Sequence, residues 1–160
     1  MANRYLVASG NWSSTSVWSE TDPSMPDSGY PGASIPSSGD TVWIKQNYTV
    51  TLDSDVSIQS FRVTNGTVNF SSYEMVVQWE CMFGNYPNIG SGTINLMSGT
   101  LRVLERSLQI YGSTVINAGT SLIVIEGQYS SKTFVTNSSS FNDVVINLAY
   151  VAPDSSYYTK

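Results

Sequence analysis

At 160 residues, 41% of them hydrophobic and only 12% charged, the chain can bury one core but must draw its polar surface from Ser, Thr, Asn and Gly rather than from ionised side chains. The formal net charge of -5, from 7 Lys and Arg against 12 Asp and Glu, leaves no basic patch for a phosphate backbone, so nucleic acid is not an expected partner. With no histidine, the commonest general base, every Ser-His-Asp or Cys-His arrangement and the commonest zinc ligand are excluded, and a lone cysteine, Cys81, excludes an intrachain disulfide.

The opening Met1-Ala2-Asn3-Arg4-Tyr5 lacks the apolar stretch of a signal peptide, and no later run reaches the ~20 apolar residues of a membrane span. The expectation is a soluble chain made in a cytoplasm, with no membrane partner. Residues 1–39 carry Trp12, Trp18 and Tyr30 among Pro23, Pro26, Pro31 and Pro36, and this spacing of prolines predicts ordered coil. Such large aromatic side chains are costly to leave in water, so Trp12, Trp18 and Tyr30 are expected to form a structural cap over one end of the strand-forming region.

From Asp40 the chain breaks into short β-prone runs between turn residues. Strands are predicted at Thr41–Ile44, Tyr48–Leu52, Val56–Val63, Thr67–Phe70 and Glu74–Trp79. They continue at Gly92–Leu96, Thr100–Leu104, Ser107–Tyr111, Thr114–Ile116, Leu122–Ile125, Thr133–Val135 and Val144–Leu148. No segment has a 3.6-residue apolar period, so helix should be nearly absent. Alternation in Thr49-Val50-Thr51-Leu52 and Thr67-Val68-Asn69-Phe70 gives each strand one buried and one wet face.

A weak repeat runs through these strands: Gly66-Thr67-Val68-Asn69-Phe70 returns 26 residues later as Gly92-Thr93-Ile94-Asn95-Leu96, with an echo at Gly112-Ser113-Thr114-Val115-Ile116-Asn117. Units of this size that cannot bury an apolar face alone stack into solenoids. The expected fold is all-β, a short right-handed parallel β-helix over 40–148, with an irregular N-terminal cap over 1–39 and a tail at 149–160. The alternative is a β-sandwich or jelly roll, whose strands alternate in the same way.

The leader carries a further signal. Arg4-Tyr5-Leu6-Val7, Gly10-Asn11-Trp12, Val17-Trp18-Ser19, a Pro/Ser/Gly segment and Ser38-Gly39-Asp40-Thr41-Val42 together resemble the opening of tailed-phage and bacterial surface proteins, in which a Gly-Asn-Trp capping segment leads into a parallel β-helix. Tyr48-Thr49-Val50-Thr51-Leu52-Asp53, Val56 and Ser60-Phe61-Arg62-Val63 resemble the first turns of that group. The resemblance covers about the first half of the chain. It implies a non-enzymatic virion structural protein, a capsid decoration or tail/fibre component, whose partners are other virion proteins and further copies of itself, as in trimeric spikes.

Residues that could carry chemistry are few. Asp53 and Asp55 are the closely spaced acidic couple after the leader; they could serve glycosidic cleavage or a calcium site, but Asp-Ser-Asp between Leu52 and Val56 has the composition of a turn. No nucleotide-binding glycine motif is present, and no cofactor is called for. The alternative function is a glycan-binding adhesin module recognising a host-surface polysaccharide. Its candidate contacts are Trp43 and Trp79, in strands where core duty is the simpler reading, Tyr111, and Phe83 and Tyr86 within the Gly-, Asn- and Pro-containing loop 83–90. Five Asn-x-Ser/Thr triplets, at Asn11, Asn47, Asn65, Asn69 and Asn137, follow from composition alone.

Overall fold

The computed structural model describes residues 2–24, 32–84, 90–127, 134–135 and 140–147. The chain climbs as a coil. It begins with β1 (Asn3–Leu6), β2 (Gly10–Asn11), a single 3-10 turn (Thr15–Val17) and β3 (Trp18–Ser19). Next come β4 (Thr41–Ile44), β5 (Thr49–Thr51), β6 (Val56–Val63), β7 (Thr67–Asn69), β8 (Glu74–Phe83) and β9 (Thr93–Asn95). The upper rungs are β10 (Thr100–Val103), β11 (Ser107–Ile110), β12 (Val115–Asn117), β13 (Leu122–Glu126), β14 (Phe134–Val135) and β15 (Asp143–Asn147). Apart from the antiparallel pair β1–β3, the pairings are parallel, in a 10-stranded sheet and a 5-stranded sheet β12-β9-β7-β5-β2. The result is a β-solenoid of about four turns, and no α-helix occurs among the described residues.

The larger sheet is folded along a corner. In β6 and β8 the register slips between Ile58 and Ser60, so that Gln59 alone stands opposite Gln78 and Trp79. One rung further on, Val103 pairs with Val77 and Ser107 with Glu80, leaving Leu104, Glu105 and Arg106 at the same corner. An extra residue on one strand of a pair bends it. The coil therefore has three faces: one built on 56–58 and 75–77, one on 60–63 and 80–83, and one on the smaller sheet.

Alternation places the same kind of residue at the same inward position on successive rungs. Val50, Val68, Ile94 and Ile116 form one column, and Ile44, Val63, Phe83 and Ile110 another. Nearly all of these side chains are buried, and each fully buried Val, Ile or Phe stabilises the fold by roughly 1.5–3 kcal/mol. The 26-residue echo is true register: Thr67, Val68 and Asn69 lie directly against Thr93, Ile94 and Asn95.

The leader is more regular than its prolines suggest. β1 joins the main sheet beside β4, and β3 turns back antiparallel along β1, closing the sheet edge that would otherwise pair with another chain. Trp12 and Trp18 are fully buried, with ring centroids 4.8 Å apart in an edge contact, and Trp12 meets Phe61 at 6.2 Å. Arg4 takes the inward register position that Val42 holds on the next rung. There it meets Glu20 at 3.0 Å, Asp40 at 3.8 Å and the Ser34 hydroxyl at 2.7 Å, so a charged group seals this end above the aromatic rings. Tyr30 and the tail 149–160 lie outside the described residues. At the far end β15 leaves Val144, Val145 and Ile146 exposed.

Candidate functional site

On the smaller sheet the outward row consists of Asn11, Thr51, Asn69, Asn95 and Asn117, one per rung, because Asn11 pairs with Thr51, Thr51 with Asn69, Asn69 with Asn95 and Asn95 with Asn117. The carboxamides are linked head to tail. Asn117 Nδ2 donates to Asn95 Oδ1 at 2.6 Å, Asn95 Nδ2 to Asn69 Oδ1 at 2.7 Å, and Asn69 Nδ2 to Thr51 Oγ1 at 3.2 Å. Parallel, in-register rungs ~4.8 Å apart bring identical amides to this spacing automatically.

Two residues beyond each asparagine the backbone turns left-handed, with φ 58 at Ser71, 55 at Met97 and 60 at Gly119. The stacked turns and the asparagine row form the walls of an open groove of about 440 Å³ running along the coil axis. Gly119 is required where it stands: a Cβ there would lie 2.3 Å from the Met97 carbonyl oxygen. Met97, by contrast, holds a conformation that non-glycine residues seldom adopt and is 54% exposed at the groove wall.

Sequence reasoning passed over this row. Asn69 entered as a member of an alternating strand, of the 26-residue repeat and of a glycosylation triplet, and the recurrence of asparagine within that repeat was the signal.

The aromatic residues expected to meet a partner or glycan fare differently. Phe83 is a correction: it is 1% exposed and packs edge-on against Phe61 at 6.0 Å, because alternation along β8 turns it into the core, so it contacts no partner or glycan. Trp43 does point outward, but its ring lies between Tyr5 of the preceding rung, at 6.5 Å, and the Arg62 guanidinium of the next, at 4.9 Å. The Lys45 ammonium adds a third neighbour at 4.8 Å. Trp79 sits at the corner with the Arg106 guanidinium 4.4 Å from its ring. Stacked cations of this kind compete for the faces that a sugar ring would use. Tyr86 lies outside the described residues.

The acidic couple is divided. Asp53 accepts hydrogen bonds from the backbone and hydroxyl of Ser13, one rung below, whereas Asp55 accepts from the Glu74 backbone N–H at 2.8 Å, one rung above. Both are turn residues, but they tie neighbouring rungs together instead of closing their own turn. The described residues contain no group of three or more His, Cys, Asp or Glu side chains that could hold a metal.

Arg102 is held between two carboxylates of the neighbouring rungs. It bonds Glu74 and Glu126, each at 2.9 Å, and these partners raise its pKa above the ordinary value. Lys45 meets Asp22 at 2.5 Å and Arg62 meets Glu80 at 2.6 Å. Burial works against the charge on Asp22, but hydrogen bonds from Lys45 and Ser24 prevail and hold its carboxyl below the usual range. Tyr5 moves the other way, raised first by burial and then by the nearby Asp22 charge.

Comparison of the chain with protein-family models, with curated proteins and with solved structures returns no match.

Proposed function

We propose that the chain is a non-enzymatic structural module of a phage particle, a rigid β-solenoid mounted on capsid or tail proteins. The observation that carries this reading is how its outward polar side chains are used. Arg62 and Glu80, Arg102 with Glu74 and Glu126, Asp53 with Ser13, Asp55 with Glu74 and the asparagine row all join one rung to the next. Such pairs stiffen a coil along its axis, and they do not converge on a point where a substrate atom could react. The leader resemblance supports the same reading, as does the contrast between an end sealed by Trp12, Trp18 and Arg4 and an end where, among the described residues, β15 is the last strand and its Val144, Val145 and Ile146 are exposed.

The test is location. Antibody raised against the chain is applied to particles purified from a lysate of the producing strain, and immunogold electron microscopy reads where it binds. Label at a fixed site on intact particles, with co-sedimentation of the chain, is the expected result. A chain found only in the soluble fraction would overturn the proposal.

A further inference from the structure

We infer that the asparagine-lined groove is a binding site for an uncharged, extended glycan of β-linked pyranoses lying along the coil axis. This site is independent of where the module is mounted, and it lies on a different face from the tryptophans.

Three features of the groove select the ligand. The first is repeat: Asn69, Asn95 and Asn117 stand one rung apart, ~4.8 Å, close to the axial length of one pyranose in an extended β-linked chain. Asn69 and Asn95 each spend one N–H and one oxygen lone pair on the row and Asn117 spends one N–H, through the bonds from Asn117 to Asn95, Asn95 to Asn69 and Asn69 to Thr51. A carboxamide has two donors and two acceptor sites, so Asn69 and Asn95 each retain a donor and an acceptor for a ligand's hydroxyl or acetamido groups. The row polarises in one direction, which strengthens those remaining groups and fixes which way along the axis they point.

The second feature is charge. The side chains lining the groove, Thr51, Ser71, Asn69, Asn95, Met97 and Asn117, are all uncharged, on a chain of net charge -5. A uronic or sulfated polymer would meet repulsion and no compensating cation. The third is Met97, which sets a polarizable, 54% exposed side chain beside Asn95 and Asn117 from a backbone of φ 55. An apolar residue kept in a strained turn next to free amides supplies the contact that the C–H face of a pyranose needs.

The experiment titrates the 15N-labelled protein with cellohexaose and with chitohexaose, reading the side-chain amide signals of Asn69, Asn95 and Asn117. Shifts in all three with at least one hexasaccharide are expected, with affinity about tenfold or more above that of the matching disaccharide, since a disaccharide cannot engage every rung. Asn95→Ala should weaken binding by about tenfold, the scale of one or two neutral hydrogen bonds. Met97→Asn, which the left-handed turn accepts readily, should also weaken binding while leaving Tm unchanged or higher. Because that variant keeps the fold, loss of binding there cannot be ascribed to unfolding. Silence of the three amides at millimolar concentrations of both hexasaccharides, shifts confined to Trp43 or Trp79, or equal affinity for disaccharide and hexasaccharide would each overturn the inference.

Discussion

Trp18 donates its indole N–H to the backbone carbonyl of Trp12 at 2.8 Å, inside an end of the coil where both side chains are fully buried. Trp12 Nε1, by contrast, is buried with no hydrogen-bond partner among the described residues. Both positions should therefore be sensitive to loss of volume but unequal in loss of the indole N–H. Truncation of either to Ala should cost about 3–5 kcal/mol. Trp18→Phe should cost more than Trp12→Phe, because it leaves a buried carbonyl without its donor, a penalty of about 1–3 kcal/mol. Urea unfolding followed by circular dichroism gives both values; the reverse order would show that this bond does not hold the cap.

The stacked left-handed turns make an equally local prediction. At Gly119, φ is +60 and an added Cβ would sit 2.3 Å from the Met97 carbonyl oxygen, an atom of rigid backbone. Gly119→Ala should cost on the order of 2–4 kcal/mol, the scale of strain at a special backbone position. Gly39 is the control, because nothing lies within 4 Å of the corresponding Cβ and its φ is not left-handed. Gly39→Ala should be neutral or stabilise by up to about 1 kcal/mol through the unfolded chain. Thermal unfolding of the two variants side by side would test the contrast, and equal Tm values would refute it.

These turns also show how far the sequence can be read. Strands from Thr41 to Leu122 were legible because each inward column repeats apolar residues at period two, and the stacked pair of Thr67–Asn69 and Thr93–Asn95 was visible as a repeat. The repeat stays faint because rungs differ in length: Val50, Val68, Ile94 and Ile116 are one column although they stand 18, 26 and 22 residues apart. Extra residues enter at the corners, where no column constrains them. β2 and β3 were illegible because strands of two residues cannot show alternation, and their pairing depends on β5 and β1, far away in sequence. Phe83 was misread because Gly84 and the loop beyond it carry a stronger local signal than the inward position it occupies in β8. The asparagine groove was hidden for a related reason. Asparagine in a lone strand reads as a turn residue, and its value as a ladder appears only when rungs are in register.

Asp40 gives the fold a calculable acid limb. Burial opposes its charge, but the Ser37 backbone N–H and hydroxyl, each at 3.0 Å, and the Arg4 guanidinium outweigh that cost and hold the carboxyl below its ordinary value. A carboxyl whose folded pKa lies below the unfolded one contributes stability above the unfolded value, about pH 4, and loses it as pH falls through the folded pKa. Asp22, lowered in the same sense, adds to this dependence. Unfolding free energy should be flat from neutral pH down to about pH 5 and then decline, and the decline should be shallower in Asp40→Asn, which has no proton to gain at that position. An unchanged acid slope in this variant would remove Asp40 from the account.

Cys81 stands in an inward column with Val42, Phe61 and Leu108 and has no exposure to solvent. Burial, and then the adjacent Glu80 charge, push its thiol pKa well above the ordinary value, so the reactive thiolate is scarce and also inaccessible. In native buffer a thiol reagent such as Ellman's reagent should react only through opening of the coil, whereas reaction in urea should be immediate. If opening is global, the protection measured at Cys81 should equal the free energy of unfolding; a much smaller value would mean that the rungs around β8 open on their own. Substitution separates volume from polarity at the same site. Cys81→Val keeps an apolar side chain of similar size and should cost less than about 1.5 kcal/mol. Cys81→Ser buries a hydroxyl in an apolar column and should cost about 1–3 kcal/mol, provided no carbonyl accepts from it. A serine variant as stable as the valine variant would show that the column admits a hydrogen bond, and that its interior is less strictly apolar than the stacked Val, Phe and Leu side chains imply.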